Sequence, residues 1–139
     1  MLRTTSQILS YHAQLEETQS NNYTGLAKTI PEQEPALTRL GKENLRHRDM
    51  ALRAYREGVT DAFEVGFLAE PLDPGEYKLT EPVLNLSEAI GNEKKLIRFC
   101  MDAASSSSEL IPDLPDTFER LVKRKKRTIE KLEEIERSL

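Results

Sequence analysis

The chain has 139 residues, with 24 acidic and 20 basic side chains and a formal charge of -4 at pH 7. This length fits a single domain, residues 1–139, with its own core, and the mild negative charge argues against general nucleic-acid binding. The single Cys100 excludes a disulfide framework, and no apolar run approaches the roughly 20 residues that cross a bilayer, so we expect a cytoplasmic protein that binds no membrane.

Leu, Glu, Lys and Arg dominate the composition, which favours helices, and the spacing of apolar residues predicts four of them. Thr4, Thr5 and Ser6 are candidate caps for helix one, which ends near residues 29–34. Pro35 then opens helix two, which is predicted to run to about Gly66. The inward positions of these two helices are Ile8, Leu9, Leu15, Tyr23 and Leu26 in the first, and Leu37, Leu40, Asn44, His47, Ala51 and Ala54 in the second.

A long connection follows, from Gly66 to Pro82, and its prolines and glycines predict irregular structure. Helix three is predicted from about Leu84 to about Ala104, and helix four from Pro115 to Leu139. Short loops join antiparallel helices, whereas a connection this long can cross a bundle and join parallel ones. The sequence therefore predicts an all-α four-helix bundle made of two antiparallel hairpins joined by a long crossover. The inward positions of helix three are Leu86, Ile90, Glu93, Leu96, Ile97 and Cys100.

Polar residues interrupt the apolar seams at the middle of each helix. Helix four places Lys125 and Thr128 between Leu121 and Leu132, where Leu or Ile would be expected. An ammonium facing a bundle core is costly unless a negative group meets it there. The other apolar positions of that seam are Phe118, Ile135 and Leu139, and the predicted polar core cluster is Glu16, Asn44, His47, Glu93, Lys125 and Thr128.

The two halves of the chain repeat a pattern, with Glu16 seven residues before Tyr23 in helix one and Glu93 seven residues before Cys100 in helix three. Helices two and four each add a polar pair three residues apart. In these features, and in the phrases LEETQSNNYTGLA and AIGNEKKLIRFCMDAA, the chain resembles the rubrerythrin-type domains of the ferritin-like superfamily. The resemblance implies a di-iron carboxylate site, with a Glu from each of two helices and a Glu-x-x-His pair from each of the other two.

The resemblance carries over to only part of that ligand set. Glu16, Glu93 and His47 match ligand positions, whereas Asn44 stands at a Glu position with Glu43 one residue out of register. Lys125 and Thr128 replace the last Glu and His. A protonated lysine repels a metal ion, so we expect no bound cofactor and a vestigial site in which the ammonium replaces the metal charge.

Two functions of different classes are compatible with this pattern. We expect a non-catalytic bundle with no catalytic residues, acting as a homodimer or as a module that binds an unknown protein partner. The apolar residues proposed for that surface lie around the crossover: Phe63, Val65, Phe67, Leu68 and Tyr77. The alternative is a residual iron- or manganese-binding oxidoreductase that uses Glu16, His47 and Glu93, with Glu43 swung into the site.

Three further features receive conservative interpretations. His12, one turn before Glu16, is the weakest candidate for a site residue. Cys100, at the position of the family's Tyr, is expected to be inert packing. The basic stretch Lys123–Arg127 resembles a nucleic-acid patch, but helical periodicity spreads its side chains around the helix and acidic residues follow closely. We therefore expect a solvated face and no nucleic-acid partner.

Overall fold

The structure of the protein is a computed structural model that describes residues 1–59, 66–107 and 113–139. Four long helices make up most of this part of the chain, and they confirm the predicted all-α four-helix bundle. The helices are α1 (Thr5–Thr29), α2 (Glu34–Val59), α3 (Leu86–Ser106) and α4 (Asp113–Ser138).

The helices form two hairpins, because α1 packs mainly on α2 and α3 mainly on α4. The hairpins meet through contacts of α1 with α3 and of α2 with α4. Gln19, late in α1, bonds the carbonyl of Ala89 near the start of α3, whereas His12, early in α1, stacks on Phe99 farther along α3. Helices α1 and α3 are therefore antiparallel, and the parallel pairs lie across the diagonals of the bundle.

The crossover is more regular than its prolines and glycines suggested. A strand β2 (Phe67–Leu72) pairs antiparallel with a three-residue strand β1 (Leu2–Thr4), and a 3₁₀ turn covers Pro74–Tyr77. The expectation of irregular structure throughout Gly66–Pro82 is therefore wrong for these two segments. The backbone groups of β2 form hydrogen bonds with the N-terminal strand β1, and the local sequence of β2 does not predict this pairing.

The second half of the crossover runs back along α3. The hydroxyl of Tyr77 donates to Asp102 at 2.5 Å, near the end of α3. Farther along, the backbone N–H of Thr80 donates to Asn92 at 2.9 Å, in the first half of that helix. The crossover thus returns the chain along the bundle, and this return allows α2 and α3 to run parallel.

Side-chain caps fix two of the helix starts. Thr4 accepts a hydrogen bond from the backbone N–H of Gln7, and Gln7 bonds back to the N–H of Thr4, which forms a capping box. Asn85 caps α3 with its side chain alone, which accepts from the N–H of Glu88 at 2.9 Å. Because of this cap, α3 begins at Leu86, two residues later than predicted.

Other helix ends also differ from the predicted ones. Helix α3 continues to Ser106 rather than Ala104, and α4 begins at Asp113 rather than Pro115. Proline is compatible with the first turn of a helix, so Pro115 does not have to begin it. Helix two was predicted to reach about Gly66, but Gly66 is not helical, and residues 60–65 lie outside the described part of the chain.

The core consists of two apolar clusters at different levels of the bundle. One surrounds Ile8, Phe99 and Phe118, and the other surrounds Tyr23 and Leu132. Along the helices, the residues of the predicted polar core cluster lie between these two apolar clusters. One seam prediction for helix four needs correction, since the terminal Leu139 is 62 % exposed beyond the last helical residue. Ile135 is partly buried and packs against the second cluster. Among the described helices, none has the length and apolar character to cross a membrane.

The surface proposed for dimerisation is smaller than predicted. Leu68 and Tyr77 are buried in the bundle's own core, because β2 turns Leu68 inward and Tyr77 packs edge-on against Phe99 at 5.1 Å. Phe67, in contrast, is 70 % exposed. The remaining two residues of that prediction, Phe63 and Val65, lie outside the described residues.

Candidate functional site

Lys125 fills the gap in the apolar seam of α4, and its whole side chain is buried. Its Nζ donates a hydrogen bond to Oε1 of Glu16 at 2.7 Å and lies 3.8 Å from Oε1 of Glu93. Burial acts to lower the pKa of Lys125, but the two carboxyl groups outweigh burial and hold that pKa above its ordinary value. The side chain is therefore an ammonium at neutral pH.

Glu16 collects three hydrogen bonds from three helices. Its Oε1 accepts from Lys125 and from Nδ2 of Asn44 at 2.8 Å, and its Oε2 accepts from Nε2 of His12 at 2.8 Å. Burial acts to raise the pKa of Glu16, but the charge of Lys125 and the hydrogen bond from His12 bring that pKa well below its ordinary range. This carboxylate is ionised and fully partnered.

Glu93 is the less well satisfied of the two carboxyl groups. Its Oε1 accepts a hydrogen bond from Asn44 at 3.2 Å, and Lys125 lies too far for a direct hydrogen bond. Burial raises the pKa of Glu93, and the nearby charge of Glu16 adds to the effect, although Lys125 opposes it. Asn44 therefore links two carboxyl groups whose pKa values are shifted in opposite directions.

His47 lies one turn after Asn44 on α2 and is 2 % exposed. Burial and the positive charge of Lys125 lower the pKa of His47 to about 3, so its imidazole is neutral. Nε2 of His47 lies 3.5 Å from Oε2 of Glu43. Glu43 is partly exposed, and its carboxylate accepts a hydrogen bond from Arg46 at 2.7 Å. Thr128 is buried, and its hydroxyl donates to a carbonyl of its own helix.

The structure thus brings Glu16, Asn44, Glu93 and Lys125 into direct contact and buries His47 and Thr128 at the same level. Five buried polar atoms have no hydrogen-bond partner among the described residues. They belong to four side chains: Nδ1 of His12, Oδ1 of Asn44, both ring nitrogens of His47, and Oε2 of Glu93.

His12 is part of the polar cluster, although it was the weakest candidate for a site residue in the sequence. It is completely buried, bonds Glu16 directly, and packs between the rings of Phe99 and Phe118. The signal was its position four residues before Glu16, which places the two side chains on one helix face. A histidine that orients a buried carboxylate is a common supporting arrangement in polar cores.

Sequence reasoning missed a second buried polar network, next to this cluster. Gln19 bonds the carbonyl of Ala89 at 3.0 Å, and its Oε1 accepts from Asn22 and Asn92, each at 3.0 Å. Asn92 also bonds both the N–H and the carbonyl of Thr80 in the crossover. The signal was a set of amides at helical spacing on inward faces. The network joins α1, α3 and the crossover.

The donor set of the cluster does not fit a two-metal centre. Such a centre in a helical bundle draws on about four carboxylates and two histidines, whereas this cluster has two carboxyl groups and an ammonium. Lys125 cannot bind a metal while protonated, and its charge opposes a second cation. Within residues 1–59, 66–107 and 113–139, no three His, Cys, Asp or Glu side chains are arranged to hold a metal ion.

Two other features of the sequence, Cys100 and the basic stretch Lys123–Arg127, do not form a further candidate site. Cys100 is buried, and burial raises the pKa of its thiol, which keeps it protonated. The basic stretch Lys123–Arg127 is divided between environments, because Lys125 points into the core while Lys123, Lys126 and Arg127 are exposed. The stretch therefore does not present five adjacent charges to one partner.

Comparisons with models of known protein families, with curated proteins and with solved structures return no match to this chain.

Proposed function

We propose that the protein is a non-catalytic bundle of the ferritin-like type with a vestigial di-metal site, acting as a structural or protein-interaction module. The observation that carries the proposal is the position of Lys125, 2.7 Å from Glu16 and 3.8 Å from Glu93 with all three side chains buried. A permanent ammonium between two carboxyl groups supplies the positive charge that a metal centre would otherwise supply.

The arrangement of the helices supports the ferritin-like part of the proposal. A Glu on α1 and another on α3 face polar pairs on α2 and α4, and a long crossover joins the two hairpins. This is the layout in which a bundle carries a dinuclear carboxylate site. Retaining that layout with a lysine in the metal position turns a reactive centre into an electrostatic link between helices.

For the interaction partner we propose a second copy of this chain, bound through the crossover and α2. Phe67 supports this choice, since it is a large apolar side chain that the bundle leaves 70 % exposed. We also propose a cytoplasmic location, which suits a chain whose one cysteine is a free, buried thiol.

A second candidate function is a residual iron- or manganese-binding oxidoreductase that uses Glu16, His47 and Glu93, with Glu43 turned inward. The observation that favours it is that both ring nitrogens of His47 and Oε2 of Glu93 form no hydrogen bond with the described residues. Neutral imidazole and carboxylate are suitable ligands for these metals. This candidate requires Lys125 to move away from the site.

Elemental analysis separates the two candidates. The protein should be purified without chelators from cells grown with added iron and manganese, and its metal content measured per chain. We expect far less than one ion of iron, manganese or zinc. About two ions per chain would overturn the vestigial site. One ion per chain that is lost in the His47→Leu variant would support the metal site of the second candidate instead.

A further inference from the structure

The polar cluster has a pattern of unused hydrogen-bonding groups that points to a ligand. Three of its side chains, Asn44, His47 and Glu93, are at least 98 % buried and still present polar atoms without a described partner. A buried polar group left unpaired destabilises the folded state, so several together in one core are rare. Something that forms hydrogen bonds is expected among them.

The unused groups include both donors and acceptors. The ammonium of Lys125 has three N–H donors, of which one is directed to Glu16 at 2.7 Å. Its Nζ lies 3.8 Å from Oε1 of Glu93, beyond direct hydrogen-bond distance, so its other N–H groups have no described hydrogen-bond acceptor. Oδ1 of Asn44 and Oε2 of Glu93 are acceptors. Neutral His47 adds one donor and one acceptor.

We infer that the polar cluster binds ordered water, held by Lys125, Asn44, His47 and Glu93. A water molecule can accept from the ammonium and donate to two of the acceptor atoms. A metal cation or an ammonium ion can accept no hydrogen bond from Lys125, and an anion would be repelled by the ionised carboxylate of Glu16 in the same buried cluster. The ligand class is therefore a small neutral molecule that both donates and accepts, and water is the occupant we assign.

The walls of the cluster are polar on all four helices, with Glu16, Asn44, Glu93 and Lys125 all buried. Polar walls are a condition for a hydrated interior site. The inference rests on the proposed function, because it takes Lys125 as the permanent cation of the cluster. Water then forms hydrogen bonds with the polar atoms that have no partner in the protein.

The first test is a crystal structure of the full chain, with diffraction data collected also at the iron absorption edge from crystals soaked in ferrous iron. We expect density for water within hydrogen-bond distance of Lys125 and Glu93, and no anomalous signal there. A cluster with no such density overturns the water inference and leaves the proposed function standing. An anomalous peak at Glu16, His47 or Glu93 overturns the proposed function as well.

The second test measures stability in solution and compares His47→Leu with the control Thr128→Val. If the cluster is hydrated, the leucine deprives water of its bonds to His47, and the denaturation midpoint falls. If the cluster is dry, removing two unpaired ring nitrogens leaves the midpoint unchanged or raises it, which contradicts the inference. Thr128→Val removes a hydroxyl that bonds only its own helix, so it reports the cost of a polar-to-apolar change without the water.

Discussion

The ammonium of Lys125 donates a 2.7 Å hydrogen bond to Glu16, although 109 residues separate them in the chain and neither side chain is exposed. The contact links α4 to α1 across the diagonal of the bundle. Burying two charges is costly, and their attraction offsets the cost only when the geometry is good and further hydrogen bonds complete it. His12 and Asn44 provide those hydrogen bonds to Glu16.

We therefore expect Lys125→Met to destabilise the fold near neutral pH by about 3–5 kcal/mol, although it adds an apolar residue to an apolar seam. Removing only the cation leaves an ionised Glu16 beside Glu93, both buried and without a compensating positive charge. The free energy of unfolding from denaturant titration measures the effect. Lys126→Met is the matched control, since Lys126 is the exposed neighbour on the same helix.

The companion variant removes all three groups together: Glu16→Leu, Lys125→Met and Glu93→Leu. It should be far milder than Lys125→Met alone, and its stability should approach or exceed that of the parent, because well-packed apolar groups often replace buried ions without loss. If Lys125→Met proves as stable as the parent protein, the charge of Lys125 does not hold the cluster together.

His47 should make the protein sensitive to acid. Burial and Lys125 lower its pKa to about 3 in the folded protein, whereas the unfolded chain has the ordinary value of about 6.5. Between these values the unfolded state binds a proton that the folded state does not. Stability is therefore complete above about pH 6.5 and falls as the pH decreases, by at most about 1.4 kcal/mol per pH unit.

The test compares the parent with His47→Gln by denaturant titration between about pH 7 and pH 5. The parent should lose stability across this range more steeply than the variant. Glu93 works in the opposite direction, since its raised pKa favours the folded state as the pH falls, but it is present in both proteins and its effect cancels in the comparison. Parallel pH profiles would show that folding does not lower the pKa of His47.

The spacing of inward-facing residues along α4 shows how much of the polar cluster could be predicted from the sequence. Steps of three and four residues from Leu121 reach Lys125 and Thr128 and then Leu132, so helical geometry alone places the lysine in the core. Distances and protonation were not predictable, because they depend on side-chain rotamers and on how two hairpins dock. The involvement of His12 was underestimated for the same reason.

The crossover shows why the remainder of the fold could not be predicted. The strand Phe67–Leu72 contains Pro71 and lacks a clear alternation of apolar and polar residues, so it gives no local strand signal. Its partner, Leu2–Thr4, is only three residues long and lies far away in sequence. Such pairing depends on tertiary structure, and propensity arguments cannot detect it.

The amide network should anchor the crossover to α3. Asn92→Ala would leave Gln19 with fewer partners and both backbone groups of Thr80 without their bonds to Asn92, so we expect a loss of about 1–3 kcal/mol. Hydrogen exchange gives a local measurement, in which the Thr80 amide should exchange much faster than in the parent. Asn21→Ala, at an exposed position of α1, is the control and should change neither quantity.

Dimerisation through the crossover makes Phe67 the residue to change. Sedimentation equilibrium at high micromolar concentration should show a dimer for the parent and a monomer for Phe67→Ser, because the serine removes the exposed apolar contact. Leu84→Ser is the matched control, since Leu84 is 76 % exposed but lies two residues before α3, outside the proposed surface. A parent protein that sediments as a monomer would contradict this prediction directly.

Rebuilding the ligand set tests whether the cluster occupies the position of a di-metal centre. Lys125→Glu, Asn44→Glu and Thr128→His together would complete four carboxylates and two histidines with the native Glu16, Glu93 and His47. We expect this triple variant to bind about two ferrous ions per chain under anaerobic conditions, and to gain stability when iron is added, since a ligand of the folded state favours folding. The control carries Asn44→Glu and Thr128→His but keeps Lys125, whose ammonium should still exclude the metal.

Calorimetric titration and elemental analysis after gel filtration measure the stoichiometry, and circular dichroism confirms that both variants are folded. A folded triple variant that binds no more iron than the control would show that the helix faces do not converge as a di-metal site requires, and the vestigial-site proposal would then have to be abandoned.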